Sequence, residues 1–221
     1  MSAYYNNLFT VDPVAFIKTY TVDIKTWFEN LGRGKTEARR VGARLVDAAN
    51  ALGACRVDFA PVGGVFGFGV STVQLQFVQH AGVDAYWVPY HAGGGLPGHC
   101  DVPRGNPASN FVFTAGMNGC AFVITDSPKG AGYMRVYHHQ HPNENSVWQA
   151  IHNAAQNIIS YTDFEDYGGP PLAEGMNPVA FNFLYYRNAT WVHVFQPQQF
   201  SALSQAPAQR LIGLDKVRSA F

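Results

Sequence analysis

Apolar and polar positions follow two different periods along this 221-residue chain. From Thr36 to Leu52 the helical period holds. Val41, Leu45, Val46, Ala49 and Leu52 fall on one stripe, Thr36 can cap the start, Glu37 suits the first turn and Gly53 stops the run, which predicts a helix. After Cys55 the period drops to two, and Arg56 to Ala60 reads as a strand. Thr72 to Gln79 alternates, with Val73, Leu75 and Phe77 on one face and Gln74 and Gln76 on the other. His80-Ala81-Gly82 makes a turn and Val83 to Tyr90 the return strand, so a hairpin is predicted, with Pro89 near its end where it costs least. Val179 to Tyr186 and Thr190 to Phe195 predict a second hairpin around Arg187-Asn188-Ala189.

Between the hairpins lie Phe111 to Thr114, a kink of small residues, a β-prone run from Cys120 to Ile124, and a third run from Tyr133 to His139. Shorter helices are predicted from Pro13 to Lys18 or Tyr20 with Asp12 as N-cap, from Asp23 to Leu31, and from Ser146 to about Ser160 with Ile158 and Ile159 inward. A terminal helix is predicted from Ala206 to Val217. His91 to Pro107 and Tyr161 to Asn177 read as long Gly/Pro-bearing loops. The sum predicts an α+β fold: a central antiparallel β-sheet or β-sandwich of about six to eight strands, flanked by helices. One domain spans 1–221, with a helical part over about 1–53 and a core over about 55–200.

Composition narrows the function classes. Hydrophobic residues make up 47%, enough for a packed core. Lys+Arg and Asp+Glu are 15 each, so the balance favours neither nucleic acid nor an anionic membrane, although Arg33, Lys35, Arg39, Arg40 and Arg44 cluster. No basic start runs into an apolar segment, and no apolar run reaches the length of a spanning helix, so neither a signal peptide nor a membrane span is expected. Cys55, Cys100 and Cys120 are an odd and sparse set that argues against a disulfide framework and leaves a Cys55–Cys100 bridge open. Gly63, Gly64, Gly67 and Gly69 lack the Lys-Ser/Thr of a phosphate loop and precede a strand, so bends are the simpler reading. His91, His99 and Cys100, with His138, His139 and His141, are zinc-type ligands in no recognisable spacing, so no metal and no cofactor are expected.

The chemistry centres on Cys120. If its run and the Tyr133–His139 run are antiparallel neighbours, a histidine can meet its sulfur. An imidazole that takes the thiol proton makes sulfur a nucleophile. Gly119 allows close backbone approach, and amides near Cys120 could hold an oxyanion. Asn118 either adds a donor or is a turn residue. A lone cysteine is more often a small buried hydrophobe, and that reading stands beside the catalytic one.

Met117-Asn118-Gly119-Cys120 resembles the Leu-Ser-Gly-Cys motif of the toxin glutamine deamidases, the family of Burkholderia lethal factor and the catalytic domain of cytotoxic necrotising factor. Thr114 lies six residues before Cys120, as a threonine does in the lethal factor. Val136-Tyr137-His138 is similar to the strand end that carries the family histidine, and Tyr86-Trp87-Val88-Pro89-Tyr90 to an upstream aromatic strand. The likeness covers roughly 55–200 and departs from the family at Met117, at Asn118 and in a longer Cys120–His138 interval. It implies a glutamine deamidase acting on a host protein, with a small GTPase or a translation-initiation factor as candidate substrates. Cys120 would be the nucleophile, His138 the base, Thr114 its orienter, with its backbone carbonyl as the candidate acceptor, and Gly119 and Asn118 the oxyanion segment; His139 is the alternative base. It also implies a toxin or effector made in a bacterial cytosol and delivered into a host cytosol, acting as a monomer. A transglutaminase or cysteine protease with the same dyad, or a non-enzymatic β-rich binding module, are the alternatives.

Overall fold

Two β-sheets face each other across an apolar layer, and helices cover both outer faces. This computed structural model describes residues 2–23, 54–63, 69–78, 80–90, 95–140, 142–154, 157–168, 172–201, 203, 206–211 and 216–220. The helices expected at Asp23–Leu31 and Thr36–Leu52, and His91 and His141, lie outside them, apart from Asp23 itself.

The chain opens with α1 (Ser2–Val11) and α2 (Pro13–Thr19). Asp12 caps α2 as expected, its carboxylate accepting from the Ala15 amide at 3.0 Å, and Pro13 fills a first-turn position where no donor is needed. Next come β1 (Thr21–Asp23), β2 (Ala54–Val62), β3 (Thr72–Phe77), β4 (Val83–Val88), β5 (Gly98–Pro103), β6 (Phe111–Thr114), β7 (Ala121–Asp126) and β8 (Tyr133–His139). Then follow α3 (Asn145–Ala154), β9 (Ile158–Thr162), α4 (Phe164–Gly168), β10 (Asn177–Arg187), β11 (Thr190–Phe200), β12 (Gln209–Arg210) and β13 (Lys216–Ser219).

The larger sheet runs β1-β3-β2-β4-β6-β10-β11-β12, with β13 also on β11; the smaller runs β5-β8-β7-β9. Pairing is antiparallel except for β1 with β3 and β4 with β6. Alternation sorts each strand's side chains between layers. Phe111, Phe113, Phe181 and Phe183 point to α1 and α2, where they meet Phe9 and Phe16. Val112, Ala180, Leu184 and Trp191 point to the other sheet and meet Cys100, Phe122, Ile124, Met134 and Val136. Outside the small sheet, Ile151 and Trp148 of α3 cover Ala121, Val123 and Tyr137. The α+β sandwich flanked by helices is therefore as expected.

Polar side chains pin the N-terminal segment into place. Buried Gln196 donates to the Ile17 and Tyr20 carbonyls at 2.6 and 2.7 Å and accepts from the Val22 amide at 3.0 Å. Gln198 donates to the Val22 carbonyl at 2.8 Å. Asn6 of α1 donates to Asp58 at 2.6 Å and accepts from the Phe59 amide at 2.9 Å. Each pairing satisfies groups whose burial alone would be costly.

Several expectations need correction. Thr72–Gln79 and Val83–Tyr90 are not paired with each other: β2 lies between β3 and β4 and is antiparallel to both. The 91–107 loop contains β5, and the 161–177 loop contains the end of β9 and α4. The helix expected to reach Ser160 ends at Ala154, because Ile158 and Ile159 belong to β9, which pairs with β7. No helix forms over the described part of 206–217; β12 and β13 edge β11 instead. All three cysteines are free thiols. The β10–β11 hairpin is as expected, and its turn at Asn188 and Ala189 (φ 54° and 61°) has the left-handed backbone of a two-residue hairpin loop.

Candidate functional site

The kink between β6 and β7 carries the chain from one sheet to the other, and Cys120 ends it. Its midpoint is tied down by Met117, which exchanges two backbone hydrogen bonds with Ala180, at 3.1 and 2.9 Å. The amide of buried Asn182 donates to the Met117 sulfur at 3.3 Å. Gly119 then turns with φ 74°, a backbone that disfavours any side chain, and the space where a Cβ would sit is open. At the end of the kink the Tyr167 hydroxyl donates to the Cys120 carbonyl at 2.8 Å and lies against the backbone of Gly119. Asn118 offers its carbonyl to the Cys120 sulfur at 3.8 Å.

Strand β8 brings the histidines. It is antiparallel to β7, with Phe122 opposite His138 and Ala121 opposite His139. Cys120 lies just before β7, outside the paired register, and packs in the inter-sheet layer with Phe122, the residue opposite His138. His139 turns to the outer face, where its ring meets Trp148 of α3 at 4.7 Å.

The setting of His138 fixes its tautomer. The Thr114 hydroxyl donates to the Val88 carbonyl at 3.0 Å and lies 2.7 Å from His138 Nδ1. A hydroxyl has one proton, so with it given to Val88 the oxygen accepts from Nδ1–H. That leaves the lone pair on Nε2, which is buried without a hydrogen-bond partner among the described residues. Thr114 meets the imidazole through its side chain, not the backbone carbonyl considered from the sequence. Tyr90 packs edge-on against the same ring at 5.2 Å.

Electrostatics hold the pair neutral. Burial pushes the Cys120 thiol up to about 11, and Cys120 is only 7% exposed. Burial, then the neighbouring His139, pushes His138 down to about 3. At neutral pH each group rests uncharged, Cys120 as thiol and His138 as neutral imidazole, and no hydrogen bond joins them: Nε2 has no partner among the described residues and the sulfur meets the Asn118 carbonyl.

A third buried histidine, after His138 and His139, escapes notice in the sequence, where it reads as a strand interior. His193 contacts the Ser160 hydroxyl at 3.3 Å through Nδ1, and Thr162 at 3.1 Å and Asn182 at 3.4 Å through Nε2; its ring meets Phe122 at 4.9 Å. Burial, then Arg218, pushes it down to about 3. Tyr167 was equally hidden, in a segment read as loop. Tyr90 had a signal, as the last residue of the aromatic Tyr86–Tyr90 run.

His138 and His193 make the fold acid-sensitive. Unfolded, each takes a proton near its ordinary 6.5; folded, only near 3. Their contribution is complete above about pH 6.5 and is lost as pH falls towards 3, at up to about 1.4 kcal/mol per pH unit for each. Urea midpoints at pH 7 and pH 5 are expected to drop accordingly; equal midpoints would show that the rings are not held neutral.

Beside the kink opens a groove of about 700 Å³ lined by Gly119, Trp148, Ile158, Tyr161, Asp163, Phe164 and Glu165, among others. Among the described residues no group of three or more His, Cys, Asp or Glu side chains could hold a metal ion, and no helix is long and apolar enough to cross a membrane.

A family model described as the Mcf1 activator-binding domain matches residues 6–219. Among solved structures, the C-terminal domain of CNFy from Yersinia pseudotuberculosis is similar over 75% of this chain and 71% of that one, at 7% identity and a TM-score of 0.38. At that distance the likeness bears on neither site nor chemistry. No curated protein sequence matches the chain.

Proposed function

The chain belongs to the Mcf1 activator-binding domain family, a toxin-related family, and on that premise we propose that it is a toxin domain whose Cys120 and His138 hydrolyse a glutamine side-chain amide of a host protein. The observation that carries this reading is the Thr114–His138 hydrogen bond. It fixes Nδ1 as donor and leaves a buried, unpartnered Nε2 lone pair on the face shared with Cys120.

The chemistry follows from that tautomer. As Cys120 Sγ attacks the carboxamide carbon, its proton passes to His138 Nε2, while Thr114 keeps its bond to Nδ1–H. The negative oxygen forms against the Gly119 and Cys120 amides, on a turn anchored by Tyr167. Nε2 returns the proton to departing ammonia, leaving a thioester. Nε2 then takes a proton from water, hydroxide splits the thioester, and the proton returns to sulfur with glutamate as product. The neutral resting pair fits this order, since proton transfer accompanies attack and no thiolate stands exposed beforehand.

A second reading keeps only the role in the family's description: the chain binds an activator and Cys120 is a structural thiol. The observation favouring it is the burial that holds the thiol protonated.

Incubating the protein with host-cell proteins separates the two. Hydrolysis predicts ammonia release and conversion of a glutamine to glutamate by mass, both lost in Cys120→Ser. The same conversion by Cys120→Ser would sink the assignment. Backbone cleavage would point to a protease, and amine incorporation to transglutamination. A thiol inert to iodoacetamide with no amide hydrolysis would leave the binding role.

A further inference from the structure

The groove beside Gly119 is a built wall rather than a gap between loops. Trp148 is held by donating its indole N–H to the Pro142 carbonyl at 2.7 Å, and its ring rests on His139. Opposite it, Tyr161 and Phe164 are 46% and 43% exposed, two of the few large apolar side chains left in solvent among the described residues. Phe164 is set by α4, whose first turn is capped by Asp163 accepting from the Glu165 amide at 3.0 Å. Aromatic side chains on a groove that includes the residue before Cys120 suit an extended polypeptide segment.

Charge narrows what that segment carries. Of the three carboxylates here, Asp166 is taken by Arg218 and Lys216. Asp163 and Glu165 line the groove and form no ion pair with another described residue. Arg218 lines the adjoining pocket with these two carboxylates but is paired to Asp166, so a groove walled by aromatic rings with two carboxylates outside any ion pair complements a cation with an apolar stem, the chemistry of a lysine or arginine side chain.

We propose that this groove, which lies on the outer face of the small sheet and reaches the candidate site only at the Gly119 turn, selects the substrate segment: the target glutamine is presented on a stretch bearing a lysine or arginine close to it, the chain bending over Gly119 towards Cys120 and the cation lying between Asp163, Glu165 and the aromatic wall. The inference rests on the hydrolase reading for what happens at the glutamine, but the selectivity is a property of binding and is measurable without chemistry.

The test uses the full chain carrying Cys120→Ser and two fluorescent peptides, each with one glutamine in an alanine-leucine background, flanked by lysine in one and by glutamate in the other. The lysine peptide is expected to bind about threefold to tenfold more tightly at low salt, with the difference shrinking as salt rises. Glu165→Lys, a surface change that leaves the Asp163 cap intact, is expected to reverse the preference. Equal binding of the two peptides, or a preference unchanged by Glu165→Lys, overturns the proposal. Wild-type protein then decides the other question. Selective binding without conversion of glutamine to glutamate leaves the groove assignment standing and removes the hydrolase reading. Conversion of both peptides at equal efficiency keeps the hydrolase and removes the groove.

Discussion

His138→Asn is expected to lower glutamine hydrolysis by about 10²- to 10⁴-fold, the range for losing a general acid–base group. The asparagine amide can still donate towards Thr114 from near the Nδ1 position, so the inter-sheet contact survives while the Nε2 lone pair disappears. The loss should fall on kcat, because the imidazole acts on the reacting proton and not on the docked segment. Thr114→Val is expected to give a smaller loss of another kind. With Oγ1 gone, Nδ1–H has no acceptor at 2.7 Å, the ring can turn over, and the productive tautomer is no longer enforced. His139→Asn, on the outer face against Trp148, is the comparison: its kcat should stay close to wild type, and any loss through a loosened Trp148 wall should fall on KM. Rates of ammonia release for the three variants check this. Full activity in His138→Asn, or collapse in His139→Asn alone, would move the base to the other face of β8.

Phe9→Ala is expected to lower stability by about 3–5 kcal/mol, as for large aromatic truncations in sealed cores, against a total of about 5–15 kcal/mol for a typical domain. Phe9 is fully buried, and its ring meets those of Phe59 at 4.3 Å, Phe111 at 5.0 Å and Phe16 and Phe183 at 5.3 Å. These neighbours come from three strands and α2, so no single one can relax into the space. Urea denaturation gives the number. A loss under about 1 kcal/mol would show that α1 lies on the sheet without sealing it.

Local signals account for what was legible in the sequence. Asp12-Pro13 announced α2 because capping and the proline φ act within one turn. Asn188-Ala189 between two apolar runs announced the β10–β11 hairpin because turn geometry fixes register. The β7–β8 pairing could be anticipated from the short loop through Pro128, Gly130 and Gly132. The supposed hairpin of 72–79 with 83–90 failed for the opposite reason: alternation states that a segment is a strand, not which strand lies beside it, and β2 intervenes. Strand β5 was hidden by its glycine and proline borders, although Cys100 and Val102 alternate inward. Ile158 and Ile159 sit where helical and strand periods cannot be told apart over a few residues. At the candidate site, Cys120 and Thr114 could be singled out through their resemblance to the toxin deamidases, and the structure adds the Thr114–His138 contact. Tyr167 and His193 were not, because contacts between layers leave no spacing in the chain.

The Thr114–His138 bond spans the gap between the two sheets: its donor sits on the small sheet and its acceptor on the large one. On the proposed reading, catalytic poise is a property of the separation between two leaves, not of a cluster built on one rigid strand pair. Leu184 and Trp191 pack in the same interleaf layer. A partner that slides one leaf over the other would therefore lengthen or shorten this bond without contacting the imidazole.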